Sequence, residues 1–100
     1  MARARWDELP LDRITDMVSR KTISATHARL AQIYLKKGSL VPRHAHSGDT
    51  LIYVLQGTLR VRTEAEEMTA REGDVVTIPA GVPHQTESLD DAFLMTFTTE

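Results

Sequence analysis

Bulky apolar residues alternate with polar or smaller residues along most of this chain, with a period of two. The alternation is clearest in four stretches: ARLAQIYLKKG (28–38), TLIYVLQG (50–57), TLRVRT (58–63) and AFLMTFTT (92–99). Gly and Pro separate these runs, and short runs punctuated in this way are typical of a β-sandwich or β-barrel. No alternation of strands with helices appears. The pattern predicts an all-β fold.

The segment PLDRITDMVSRK (10–21) fits two structures. Leu11, Ile14 and Val18 lie at helical spacing, which favours an amphipathic helix. The neighbouring β-branched Thr22 and Ile23 favour an N-terminal strand instead. Both structures remain open for this segment.

The length, charge and lack of cysteine exclude several kinds of protein and several kinds of metal site. A chain of 100 residues is expected to form one domain, residues 1–100, with a single core. Because there is no cysteine, disulfides and thiolate ligands are excluded, so a metal site must use His, Asp, Glu, Gln or backbone groups. The formal net charge is −2 and the basic residues are scattered, which argues against a nucleic-acid partner. No apolar run is long enough to span a membrane or to serve as a signal peptide, so we expect a cytoplasmic protein.

Two of the four histidines, His44 and His46, are separated by one residue. In an extended segment their imidazoles point to the same face of a sheet. Thr50, Ile52 and Val54 share that parity. One strand face therefore offers two nitrogen ligands followed by an apolar wall.

A third histidine, His84, follows the turn PAGVP (79–83), which fixes the backbone direction as the chain enters the next strand. Three converging imidazoles would bind a divalent transition metal such as Fe, Mn, Ni, Cu or Zn, with coordination positions left for water or substrate. Spacing alone leaves another interpretation open, in which the histidine pair is incidental and His84 merely follows a turn.

Two motifs resemble those of the cupin superfamily: GSLVPRHAHSGDTLIYVLQG (38–57) and GDVVTIPAGVPHQTES (73–88). Eight of the ten signature positions match with their spacing, and fifteen residues separate the motifs. The resemblance implies a small single-domain cupin of the cupin_2 type. Its fold would be a double-stranded β-helix, or jelly-roll barrel. It also implies that His44, His46 and His84 are metal ligands.

Two signature positions differ from the family. Thr50 stands in place of the acidic or amide ligand, and Ser88 in place of the Asn that ends the second motif. A Thr hydroxyl is a poor ligand unless deprotonated, so Thr50 would more readily hold a bound water or face a vacant coordination position. Asp49 could substitute through a local change of register, although its parity places it on the opposite face. The resemblance then implies a three-histidine site, which some cupin dioxygenases use with Fe(II); the alternative is a cupin that has lost tight metal binding.

The arrangement of the whole chain is similar to the short cupins related to pectin-degradation proteins. The shared elements are WDEL (6–9), RKTI (20–23), LKKGSLVPRHAH (35–46) and YVLQGTLR (53–60). That group carries Gln or Glu at the position of Thr50, and Asp-x-Phe where this chain has Met95 and Phe97. The resemblance therefore covers the scaffold, and the uronate chemistry of that group is not transferred.

The parities also predict a pocket inside the barrel. Ile52, Val54, Met95 and Phe97 would face inward with the histidines, and Phe93 would lie near the mouth. Apolar walls with a few polar groups are typical of small-molecule sites. The alternative is that these side chains form only the core.

Two functions are compatible with these features. One is a metalloenzyme of the oxygenase, isomerase or lyase type, acting on a small organic molecule at the three histidines. The other is a non-catalytic cupin that binds or senses a small molecule, with or without metal. The enzyme hypothesis lacks one component, because the sequence offers no obvious inward carboxylate as a general acid or base.

A homodimer is the expected assembly, since open sheet edges are normally covered or paired. Small cupins usually dimerise through sheet contacts that involve their N-terminal strands. We therefore predict that the N-terminal arm, residues 1–24, contributes to the dimer interface, chiefly through residues 14–24 with Trp6 upstream.

Overall fold

A computed structural model describes residues 1–100 of the chain as ten β-strands and one short 3₁₀ helix. The 3₁₀ helix η1 is Trp6–Glu8. The strands are β1 (Asp12–Arg13), β2 (Val18–Ser24), β3 (Ala28–Leu35), β4 (Leu40–His44), β5 (Thr50–Gln56), β6 (Thr58–Arg62), β7 (Glu67–Arg71), β8 (Val75–Ile78), β9 (His84–Ser88) and β10 (Ala92–Thr99). The all-β prediction is confirmed.

The strands form two antiparallel sheets that pack face to face as a jelly-roll barrel. The larger sheet has the order β1-β2-β3-β10-β5-β8 and the smaller has the order β4-β9-β6-β7. Neighbours in a sheet are often distant in sequence, as in the pairing of β3 with β10, so the chain crosses repeatedly between the sheets. The core lies between them and contains Leu35, Ile52, Val54, Leu59, Val61, Ala70, Val76, Ile78, Ala92 and Leu94.

The N-terminal segment folds as strands, so the helical alternative is wrong. β2 pairs with β3 along its whole length, from Val18 opposite Leu35 to Ser24 opposite Arg29. β-branched residues and alternating polarity suit this edge of the sheet better than a helix. The Nζ of Lys21 donates to the Trp6 carbonyl oxygen at 2.8 Å, which ties η1 to β2. No helix is long and apolar enough to cross a bilayer.

β5 presents the inward face that its sequence predicted. Thr50, Ile52 and Val54 are buried, while Leu51 and Tyr53 are exposed on the outer face. Both faces of this strand are therefore largely apolar.

The predicted inward face of β10 is wrong. Leu94 lies opposite Val54, Thr96 opposite Ile52 and Thr98 opposite Thr50. Because directly opposed residues share a face, these β10 residues point inward. Phe93, Met95 and Phe97 must therefore point outward.

The outer face of the larger sheet is apolar, and the aromatic residues of β10 lie on it. Phe97 is exposed there together with Leu51 and Tyr53. Phe93 stacks on Tyr34 of β3, with ring centroids 4.6 Å apart. An apolar outer face removes the usual cue, because burial of the bulkiest residues no longer identifies the inner side.

Gly57 and Gly73 both have positive φ, and comparing them tests whether a turn needs glycine for its backbone conformation alone or also for a close contact. Gly57 has φ +90 and a Cβ there would lie 2.5 Å from the Asp91 carbonyl oxygen, whereas Gly73 has φ +91 with open space around it. We expect Gly73→Ala to lower the free energy of unfolding by about 1–2 kcal/mol, the cost of a left-handed conformation. Gly57→Ala should cost about 1–3 kcal/mol more, because the turn between β5 and β6 must also move away from Asp91 and Ala92. Urea unfolding of both variants measures the difference, and equal losses would show that the contact with Asp91 is unimportant.

Candidate metal centre and cavity

The two motifs bring the three histidines together where β4 ends and β9 begins. His44 is the cross-strand partner of His84. His46 follows in the loop after β4, and its carbonyl oxygen accepts a hydrogen bond from Gly81 N at 2.8 Å. That bond ties the loop to the turn before β9, so the backbone of each motif is held by the other.

The same kind of hydrogen bond orients the rings of His44 and His84. Nδ1 of His44 is 2.8 Å from the Pro42 carbonyl oxygen, and Nδ1 of His84 is 3.0 Å from the Val82 carbonyl oxygen. A carbonyl oxygen can only accept, so each Nδ1 carries the proton. Each Nε2 therefore keeps its lone pair, which is the form that ligates a metal.

The free nitrogen atoms converge. Nε2 of His44 is 3.1 Å from Nε2 of His46, and the ligand atoms of all three histidines lie within 4.8 Å of one another. Imidazole nitrogens bind zinc at about 2.0–2.1 Å, so two of them on one ion lie about 3 Å apart. The widest pair needs only a small side-chain adjustment to reach that separation. The residues therefore fit a divalent transition metal that accepts imidazole ligands.

Burial favours the neutral form of these rings. His84 is buried and His46 is half-buried. Burial lowers the pKa of His46 below 6.5, and the positive charges that His44, His84 and Arg29 can carry lower it further. Burial also lowers the pKa of His84; the hydrogen bond to the Val82 carbonyl opposes this, and His44 reinforces it. Because only the neutral ring binds a metal, both effects keep the ligands available in mildly acidic solution.

The structure separates the two residues considered as a fourth ligand. Thr50 is buried and lines the same cavity as the histidines. Asp49 is exposed, and its Oδ1 accepts a hydrogen bond from Ala80 N at 3.0 Å. Its backbone carbonyl oxygen accepts from Thr99 N at 3.0 Å. Asp49 therefore ties the β8–β9 turn to the end of β10, and the structure does not bring it to the histidines.

The histidines open onto a cavity of about 190 Å³ between the two sheets. Ile52 lines it as predicted, whereas Val54 is fully buried in the core and does not line it. Phe93, Met95 and Phe97 are absent from its walls. The lining residues are Ile14, Val18, Arg20, Arg29, Ala31, Ile33, Leu35, Val41, His44, His46, Thr50, Ile52, His84, Thr86, Leu94, Thr96 and Thr98.

Sequence reasoning missed two cationic residues of this cavity, Arg20 and Arg29. The signal for Arg29 was present, because it shares the parity of Ala31 and Ile33 on β3. Arg20 could not be assigned from sequence, since its side follows from the pairing of β2 with β3, where it lies opposite Ile33.

Comparison with known proteins places this chain in a family. The model of the Cupin_2 family, described as a cupin domain, matches residues 31–98. A homogentisate 1,2-dioxygenase of Bradyrhizobium diazoefficiens is 31% identical over 97 residues, which cover 87% of this chain and 22% of that protein. The chain thus spans about a fifth of the length of the curated relatives it matches.

Solved structures share the fold at lower identity. An RmlC-like cupin from Shewanella frigidimarina has a TM-score of 0.89 at 18% identity, covering 96% of this chain and 87% of that one. The Mn(II)-containing oxalate decarboxylase of Bacillus subtilis has a TM-score of 0.85 at 18% identity, covering 95% of this chain and 28% of that one. The two motifs, the jelly-roll barrel and the family match agree, and the chain belongs to the Cupin_2 family of cupin domains.

Proposed function

We propose that this chain is a metal-dependent enzyme of the dioxygenase type that acts on a small organic molecule. The observation that carries the proposal is the convergence of three histidine ligand atoms at a cavity, with two of the rings oriented by Nδ1 hydrogen bonds to backbone carbonyls. His44, His46 and His84 would hold the metal. A bound divalent transition metal supplies open coordination positions and the redox chemistry that oxygen activation needs.

Oxygen chemistry suits the residues of this cavity better than isomerase or lyase chemistry does. Isomerases and lyases usually need a general acid or base beside the substrate. No Asp or Glu lines the cavity, and Thr50, Thr86, Thr96 and Thr98 supply only hydroxyl groups. A dioxygenase depends less on such a base. The relationship to a homogentisate 1,2-dioxygenase supports the same choice.

Iron(II) is the metal we propose first, because the relatives matched in sequence are dioxygenases. Manganese is the second choice, because an oxalate decarboxylase with Mn(II) centres shares the fold. The chain's own residues would bind the ion, place the substrate against Ile52 and Leu94, and exclude water with the apolar walls.

The absence of a base also favours a second candidate, a non-catalytic cupin that binds a small molecule. In that case the cavity and the two arginines would serve binding alone. Metal content and oxygen consumption separate the two candidates.

The assembly we propose is a homodimer formed through the outer face of the larger sheet. Tyr34, Leu51, Tyr53 and Phe97 are exposed on this face. The outward residues of β5 and β10 carry no charge, so two copies can meet there without like-charge repulsion. Exposed apolar patches of this kind mark interaction surfaces. The N-terminal arm, residues 1–24, adds exposed Met17, which lies beside Tyr34 and Phe93 on this face. A cytoplasmic location stays a prediction.

Metal content tests the proposed function directly. Protein purified without added metal or chelator should carry about one transition metal per chain by mass spectrometry, and His84→Ala and His46→Ala should lose it. His27→Ala is the matched control, because His27 is exposed outside the cavity. Circular dichroism shows that each variant is folded.

The iron-loaded protein should then consume dioxygen with a small organic substrate, and homogentisate is the first to try. If the wild-type protein binds no metal even after reconstitution, the enzyme proposal is wrong. Metal binding without any oxygen consumption would favour the binding-only candidate.

Acid should destabilise the metal-free protein through the same rings. Folding lowers the pKa of His46 and His84 from 6.5, so below that pH the unfolded chain binds protons that the folded chain does not. The free energy of unfolding therefore falls as pH falls through the window just below 6.5. His84→Gln should flatten this dependence and His27→Gln should not. Urea unfolding between about pH 5 and 7.5 measures it; identical slopes for wild type and both variants would show that His84 is not the source of the dependence.

A charge on the outer face should disrupt the dimer. Phe97→Glu places a carboxylate in the proposed interface and should give a monomer by light scattering at concentrations where the wild type is a dimer. Met68→Glu is the control, because Met68 is equally exposed, 39% against 38%, but lies on the smaller sheet. A monomeric wild type, or equal behaviour of the two variants, would rule out this interface.

A further inference from the structure

The cavity carries an uncompensated positive charge. Arg20 and Arg29 line it together with the three histidines, and no Asp, Glu or Lys does. Four other arginines pair with carboxylates, as Arg60 does with Glu87 at 2.8 Å, and the remaining three are exposed on the surface. Neither cavity arginine takes part in an ion pair. Arg20 is half-buried and Arg29 is exposed, and the chain brings no carboxylate to either guanidinium group.

Unsatisfied hydrogen-bonding atoms lie on the same strand face. Nε of Arg20 is buried and has no hydrogen-bond partner, and neither does Oγ1 of Thr22, two residues along β2. Buried polar groups in folded proteins are nearly always hydrogen-bonded, because an unmet donor keeps its full desolvation cost. A cavity ligand that accepts a hydrogen bond from Arg20 would remove that cost at Nε, whereas Thr22 does not line the cavity.

The register of the larger sheet shows how space for such a ligand arises. Arg29 lies in one cross-strand row with Thr98 and Thr50, while Arg20 lies beside Ile33 two rows away. The row between them places the small residues Ala31 and Thr96 inward, next to Ile52 on β5. Long cationic side chains thus flank a gap left by small ones. Arg29 is also close enough to the histidines that its charge lowers the pKa of His46.

We propose that Arg20 and Arg29 bind the carboxylate of a small organic acid whose hydrocarbon part packs against the apolar wall. That wall is formed by Ile33, Ile52 and Leu94. Guanidinium groups match the planar geometry of a carboxylate, and charge-assisted hydrogen bonds of this kind are among the strongest in proteins. The end of the acid away from the carboxylate faces the three histidines, of which His44 and His84 lie on the smaller sheet and His46 in the loop after β4. This inference deepens the proposed function. The binding of the acid is independent of it, and only the role of the acid as a substrate rests on it.

Binding to metal-free protein tests the arginines independently of the metal centre. The probe is phenylacetate, which joins one carboxylate to an apolar ring, and the control ligand is phenylacetamide, which has nearly the same shape without the charge. The full-length protein is stripped of metal and the chelator is then removed, because chelators are themselves carboxylates. Calorimetry should show phenylacetate binding at least about tenfold tighter than phenylacetamide.

Three variants assign the effect to the cavity. Arg20→Met and Arg29→Met should each weaken phenylacetate at least about tenfold and leave phenylacetamide unchanged. Arg71→Met removes one positive charge from an exposed position outside the cavity and should leave both affinities unchanged. Arg20→Met should also raise the melting temperature of the metal-free protein, because it removes the buried unpartnered Nε. If Arg20 were needed only for folding, its substitution would lower the melting temperature instead.

The outcomes separate this inference from the proposed function. Equal affinity for the two ligands, or a loss in Arg71→Met as large as in the cavity variants, overturns the inference even where the protein binds metal. Competition between phenylacetate and small anions tests the class of ligand. If inorganic phosphate displaces phenylacetate more strongly than acetate does, the ligand is not a carboxylate. Arginine-dependent binding of phenylacetate by a protein that takes up no metal supports the inference and overturns the enzyme proposal.

Discussion

The position of β10 between β3 and β5 is the constraint on which the cavity depends. β10 pairs with β3 from Ala92 to Thr99, and with β5 through Thr98 opposite Thr50. Both ends are fixed: the backbones of Asp49 and Thr99 are hydrogen-bonded at one end, and Gly57 lets Ala92 approach at the other. A slip by one residue would turn every β10 side chain to the other face. Phe97 would then enter the cavity and occupy the space that Thr96 and Thr98 leave.

The sequence predicted the parts of this fold that depend on local rules. Strands followed from the period-two pattern, and the turns from Gly and Pro. The shared face of His44 and His46 followed from their spacing, because residues i and i+2 point the same way on a strand. The meeting of His84 with His44 came from the resemblance to cupins, since no local rule connects residues forty positions apart. The structure places the pair as that resemblance implied.

Most features that sequence reasoning missed depend on which strand lies beside which; Arg29 is the exception, because its parity with Ala31 and Ile33 already points it inward. β10 is apolar on both faces, so its own pattern cannot tell Leu94 and Thr96 from Met95 and Phe97. The partner of Leu94 on β5 decides the matter. Arg20 is similar, because an arginine near the chain start is by default a surface residue. Only its pairing opposite Ile33 turns it toward the cavity. Long-range pairing therefore decides which residues of β2 and β10 face the cavity, whereas local spacing predicts only that His44 and His46 share a face.

Both sides of the cavity are unfavourable for the folded chain on its own. Burial disfavours the charged form of His46 and His84, and Nε of Arg20 has lost its water without gaining a partner. The core opposes these costs, with Val54 and Leu59 fully buried. A metal shared by the histidines and an anion held by the arginines would each relieve part of the cost, and each binds only the folded state. A neutral imidazole is the form that binds a metal, and a guanidinium group is a cation that binds an acid. A bound metal would therefore offset the penalty at the histidines in acidic solution, and a bound carboxylate would offset the penalty at Arg20.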